Sequence, residues 1–142
     1  LNPTPTEHPF SVVQAFDLKT TTSGKEAIVQ LDFFEKKFVT GMVSVMNVSV
    51  DEAIKFIEVL TIKYGDYDKV TPDTDEQSIT VIWYFDKTSM RVTHYINTKH
   101  FHVLTCDREA AKRVVNEEIK KNPKFKPEKK MPVIDRKKDI TI

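Results

Sequence analysis

Residues 49–65 read SVDEAIKFIEVLTIKYG, and the fold class turns on them. Ser49 stands three residues before Glu52, the spacing of a capping box in which each side chain satisfies a free backbone donor at the start of a helix. Val50, Ala53, Ile54, Ile57, Leu60 and Tyr64 recur at helical spacing and predict a core face, with Val48 and Ala53 as a modest staple. Gly65 is a natural stop, because a helix ends readily on a residue free to take positive φ. Phe56, Val59 and Ile62 form a second apolar strip beside the first. A helix this broadly apolar requires burial on two sides, or a partner.

The segments on either side have a different period. Upstream lie SVVQAFDL (11–18), AIVQLDFF (27–34) and FVTGMVSVM (38–46), rich in Val, Phe and Ile and separated by TTTSGK and EKK. They predict consecutive antiparallel strands. Downstream, DYDKVTPDTDEQS (66–78) has turn and acid composition and predicts a loop. Three further strands are predicted at 79–85, 90–96 and 100–106, then a second helix capped by Asp107. That helix carries Ala111, Val114, Val115 and Ile119 along a narrow stripe and ends at Asn122-Pro123. Two ion pairs spaced four apart, Glu109 with Arg113 and Glu117 with Lys121, are expected along it.

The expected fold is therefore α+β: an antiparallel sheet of about six strands in βββα-βββα order, with both helices packed on one face. The shared order of the halves, and AFDLKT beside YFDKTS, suggest an internal duplication, although the residue-level match is thin. Residues 1–10, Pro- and Thr-rich, are expected to be a linker, 11–122 a single domain, and 123–142 a basic Pro/Lys-rich arm.

Composition narrows the function classes. The chain has 142 residues, 39% hydrophobic and 30% charged, which suits one ordinary globular domain. Its net charge of +1 conceals an acidic body and a basic end, with twelve Lys/Arg against six Asp/Glu from residue 108 onward. Only three glycines occur, at 24, 41 and 65, too far apart for a dinucleotide fingerprint or a P-loop. No HExxH, CxxC or nucleophile elbow is present, and Cys106 has no second cysteine to pair with. The acids of 66–76 lack the order of a calcium loop. No cofactor is expected.

Three of the four histidines crowd into HYINTKHFHV, residues 94–103. A three-residue turn would place His94, His100 and His102 on one strand face, where imidazoles can converge on a metal; a two-residue turn would set His94 opposite Phe101 and split them. No Asp or Glu stands nearby to complete a familiar ligand set. The wet face of a hairpin is the simpler reading.

These observations favour a non-enzymatic binding domain over an enzyme, with the ligand held on an exposed sheet face or at a strand edge. Tyr84, Arg91 and Tyr95 are the candidate ligand-binding residues, although alternation predicts that only half of the candidate surface shares one face. The non-methionine start, Leu1, and the Pro/Thr-rich opening lead to the expectation of an exported or surface-anchored protein, periplasmic or extracellular. The layout, with KYG closing a helix and WYF in a strand after a polar loop, is similar in general plan to small exported bacterial domains. The alternatives are a metal-dependent enzyme using the 94–102 histidines, and nucleic-acid binding through the basic arm. The second has weak support in the body of the chain, where Lys87 and Arg91 alone accompany the aromatic strand.

Overall fold

The computed structural model describes residues 3–124. Ten elements follow one another: β1 (Thr4–Thr6), β2 (Gln14–Thr22), β3 (Lys25–Phe34), β4 (Lys37–Val45), α1 (Val50–Tyr64), β5 (Lys69–Asp73), β6 (Ser78–Tyr84), β7 (Thr88–Tyr95), β8 (His100–Asp107) and α2 (Arg108–Lys121). The fold is α+β, as expected, but the sheet has eight strands in the order β1-β2-β3-β4-β8-β7-β6-β5, every neighbouring pair antiparallel. Four strands, not three, precede each helix.

The two unforeseen strands are the edges, and each contains a proline, Pro5 in β1 and Pro72 in β5. Proline interrupts a ladder, so it is tolerated at an edge and weakens the strand signature in the sequence. Part of the expected linker thus belongs to the sheet: Thr4–Thr6 pair with Ala15–Asp17, and Phe10 packs into the core beneath α2. Of the expected C-terminal arm, all beyond residue 124 lies outside the described residues. AFDLKT and YFDKTS do not occupy matching places either, since Phe16 lies within β2 whereas Phe85 follows the end of β6.

Register defines two faces. On the front face one row of side chains runs Leu18, Val29, Val43, Val103, Val92, Val81 across six strands. Beside it run Phe16, Leu31, Gly41, Thr105, Met90, Trp83. Helix α1 covers only one end of these rows. Ala53, with Ile57 and Leu60 partly buried, packs on Val81, Trp83, Met90, Val92 and Phe101. Its entry and exit are both fixed. The Ser49–Glu52 capping box forms as expected, Ser49 Oγ accepting from the Glu52 amide at 3.2 Å and Glu52 accepting from the Ser49 amide at 3.1 Å. At the other end Gly65 takes φ +85, and its carbonyl accepts the Trp83 indole N–H at 2.9 Å. The predicted helix face was too wide: Val50 and Ile54 remain 46% and 49% exposed, and Phe56 instead meets Phe101 edge-on at 5.1 Å.

The helices pack on opposite faces, not on one. The β3–β4 register shifts between Asp32 and Phe33, leaving Val39 outside the pairing, and a bulge of this kind re-aims the side chains around it. Phe33 stays in front, ring to ring with Phe16 and Phe38, while Phe34 and Val39 join Val114 of α2 behind. The connections explain the difference. Residues 46–49 let the chain turn onto the front face before α1, whereas α2 starts directly from β8, with Asp107 accepting from the Ala110 amide at 2.9 Å. The expected i,i+4 pairs on α2 are not the ones formed: Arg113 reaches Glu35 at 2.8 Å and Lys120 reaches Glu117 at 3.4 Å.

Candidate functional site

The hairpin 94–103 adopts the register that splits its histidines. His94 pairs with Phe101, and Tyr95 with His100, around the four residues 96–99, in which Lys99 has φ +59. His94 is buried in front, its Nε2 2.8 Å from the Val48 carbonyl at the entrance to α1. His100 and His102 lie behind, their rings 6.1 Å apart. Nδ1 of His102 is 2.8 Å from Ser44 Oγ, and burial, with His100 beside it, holds the His102 imidazole below its ordinary pKa. Among the described residues no three His, Cys, Asp or Glu side chains come close enough to share a metal.

Tyr84, Arg91 and Tyr95 do share a surface. The β6–β7 pairing joins odd to even residues, Ile82 to Arg91 and Tyr84 to Ser89, so simple parity along the chain misassigns them. All three line a shallow groove of about 580 Å³ on the back face of β5–β7, which neither helix covers. Its rows are ordered by charge. Tyr84 and Arg108 stand at one end, the Arg108 guanidinium 5.8 Å from the Tyr84 ring centre and bonded to the Phe85 carbonyl at 3.2 Å. Lys69 and Arg91 flank Ile82 in the next row. Then come hydroxyls: Thr71, Thr80 and Thr93, the last two 2.9 Å apart, in line with His102 and Ser44 beyond. Asp73, Ser78 and Tyr95 close the far end, with Glu76 in the adjoining turn. Alternate residues of a strand are about 6.6 Å apart, so four rows span about 20 Å. Among the described residues neither Lys69 nor Arg91 has an ion-pair partner.

Lys69, Thr71 and Asp73 went unrecognised in the sequence because Pro72 and the surrounding acids marked their segment as a loop. Their alternation, K-x-T-x-D, was the available signal.

A second cluster resembles catalytic machinery without its connectivity. His8 Nε2 lies 3.3 Å from Asp32 Oδ2, to which Thr40 Oγ1 also donates at 2.5 Å. The carboxylate sits between hydroxyl and imidazole, so the imidazole cannot take the hydroxyl proton directly as a general base must. Cys106 pairs across the ladder with Thr40, but burial raises its thiol pKa, as does Asp107, which disfavours the nucleophilic thiolate. These groups tie residues 8–10 to the back of the sheet.

Comparison with protein-family models, with curated proteins and with solved structures finds no match, so the groove is interpreted from its own chemistry.

Proposed function

We propose that this chain is a non-enzymatic binding domain of an exported or surface-anchored protein, and that the back face of β5–β7 holds its ligand, an extended segment of a partner protein. The observation that carries this reading is the convergence of Tyr84, Arg91 and Tyr95 on one open groove with a basic end and an acidic end. Unpaired Arg91 and Lys69 suit carboxylates, and Arg can hold one through two parallel hydrogen bonds. Asp73 and Glu76 suit a basic group about 20 Å away, and the threonine rows between them offer hydroxyls to a polar backbone. Tyrosines at both ends supply rigid contact area at low entropic cost.

A peptide library displayed on phage and selected against the immobilised chain tests the proposal. Enriched peptides are expected to carry Asp or Glu separated from Lys or Arg by five to seven residues, about 20 Å of extended chain. They should bind at least tenfold more weakly to Arg91→Ala and to Tyr84→Ala/Tyr95→Ala, and weaken as salt rises. Equal binding to the folded variants would remove the groove from consideration. The three-histidine reading has no comparable support, since His94 lies on the opposite face and is engaged with Val48.

A further inference from the structure

Helix α1 covers the front of β6–β8 and reaches Val45 of β4, and among the described residues no helix lies over the front of β2 and β3, where the apolar side chains are half-buried among one another. Leu18, Val29, Leu31 and Val43 lie on this floor, and neither hydrophobic cluster includes them among the described residues. Phe16, Phe33 and Phe38 extend it as a ring-to-ring row, with centroids 6.0 and 6.4 Å apart. The flank of α1 rises beside it as a wall, carrying Phe56 and the 60%-exposed Val59. At the foot of the wall is an almost wholly apolar groove of about 320 Å³ between Val43, Val45, Phe56 and Phe101.

We infer that this step is the interface of a two-fold dimer, in which the front faces of two copies stack. Three features favour a second copy as the occupant. First, the shape is self-complementary: a packed sheet stands about 10 Å above the floor, close to the height of a helix layer, so each copy's β2–β4 fills the step beside the other's α1. Second, the floor is uncharged. The charges at one end of its rim, Lys25 and Glu52, already pair at 3.2 Å, and Lys63 at the far end of the wall stands over the Tyr64 ring at 5.3 Å, so the apolar floors of two identical faces meet without like charges between them. Third, three strand widths by four rows give a floor of about 380 Å². Two copies therefore bury about 760 Å² on the floors alone, and the flanks of both α1 helices, with Phe56 and Val59, have to supply the rest of the total of about 1,200 Å² at which stable interfaces begin. The outer side of α1, with Asp51, Lys55 and Glu58, stays in solvent, as its charges require.

Sedimentation and light scattering of the full chain over a concentration series test the inference. A mass of twice 16.4 kDa is expected in the micromolar range. Val59→Glu on the wall and Phe38→Lys at the end of the floor should each shift dissociation at least tenfold toward monomer with unchanged circular dichroism. Both side chains are substantially exposed, so neither variant sacrifices a buried core residue. Ile119→Glu on α2, on the other face, should leave the mass unchanged. A wild-type chain monomeric up to millimolar concentration, including one that binds a different protein or vesicles through this face, would overturn the inference. So would a dimer that persists in both variants. Peptide binding to the back-face groove is read separately and is unaffected by either result.

Discussion

Nε2 of His94 lies 2.8 Å from the carbonyl oxygen of Val48, joining β7 to the residue that leads into α1. A carbonyl only accepts, so Nε2 carries the proton, and the buried imidazole acts as a strut between the sheet and the start of the helix. The Val48 amide donates in turn to the Lys99 carbonyl at 2.8 Å, so the entrance to α1 and the β7–β8 turn hold each other.

His94→Phe keeps an aromatic ring, somewhat larger, in this buried site and leaves the Val48 carbonyl without this donor. A buried group stripped of its partner costs about 1–3 kcal/mol. Urea unfolding should show that loss as a lower midpoint at unchanged slope. Equal stability would mean that the bond contributes nothing.

Trp83 is 1% exposed and fixes the far end of the same helix through Gly65. Trp83→Phe should lose roughly the 0.5–1.5 kcal/mol of one hydrogen bond, together with some packing. Trp83→Ala should cost about 3–5 kcal/mol, as emptying a large core site does. Faster amide exchange of Gly65, whose N–H bonds to the Thr61 carbonyl, should accompany both substitutions.

Acid should release the N-terminal segment. Ser11 Oγ donates to both carboxylate oxygens of Glu118, at 2.9 and 2.7 Å, and the Val12 amide donates at 3.2 Å. These bonds, the Ser11 hydroxyl first, hold the Glu118 pKa below its ordinary value. The folded state therefore binds the proton less readily than the unfolded state. The stabilisation is fully present above the unfolded glutamate pKa of about 4.3 and is lost as the pH falls through the lower folded value. The protection factor of the Val12 amide, its exchange rate relative to the intrinsic rate at the same pH, should fall on acidification, and at neutral pH in Glu118→Gln.

His102 should respond in a higher window. Its imidazole pKa is lowered by burial and then by His100, so below about pH 6.5 the unfolded chain takes up the proton first and stability declines as the pH drops. Ring carbon-bound proton shifts followed by NMR should place His102 below a model imidazole. Replacing His100 with Gln should bring it part of the way back, because one of the two causes is removed.

The elements whose residues repeat strongly were legible in the sequence. The capping box of Ser49 and Glu52, the cap at Asp107 and the strands of the hydrophobic runs all depend on neighbours in the chain. What was missed depends on pairing partners distant in sequence. β1 and β5 consist of residues that read as loop and become strands only because β2 and β6 offer them a ladder. The sharing of a face by Tyr84, Arg91 and Tyr95 depends on the register of a hairpin, and the placement of α2 behind the sheet on a direct strand-to-helix junction. The wide apolar surface of α1 was visible from the start, and two of its exposed residues, Phe56 and Val59, mark the wall of the step.

The edge strands set how this protein can grow into larger assemblies. β1 is three residues long with Pro5 at its centre, and β5 is five with Pro72 one residue from its end. A newly arriving strand would find a short, interrupted row of donors and acceptors on either side, so end-to-end templating of sheets into fibrils is disfavoured at both borders. The inferred two-fold stack of front faces differs in kind from edge growth, because it closes after two members.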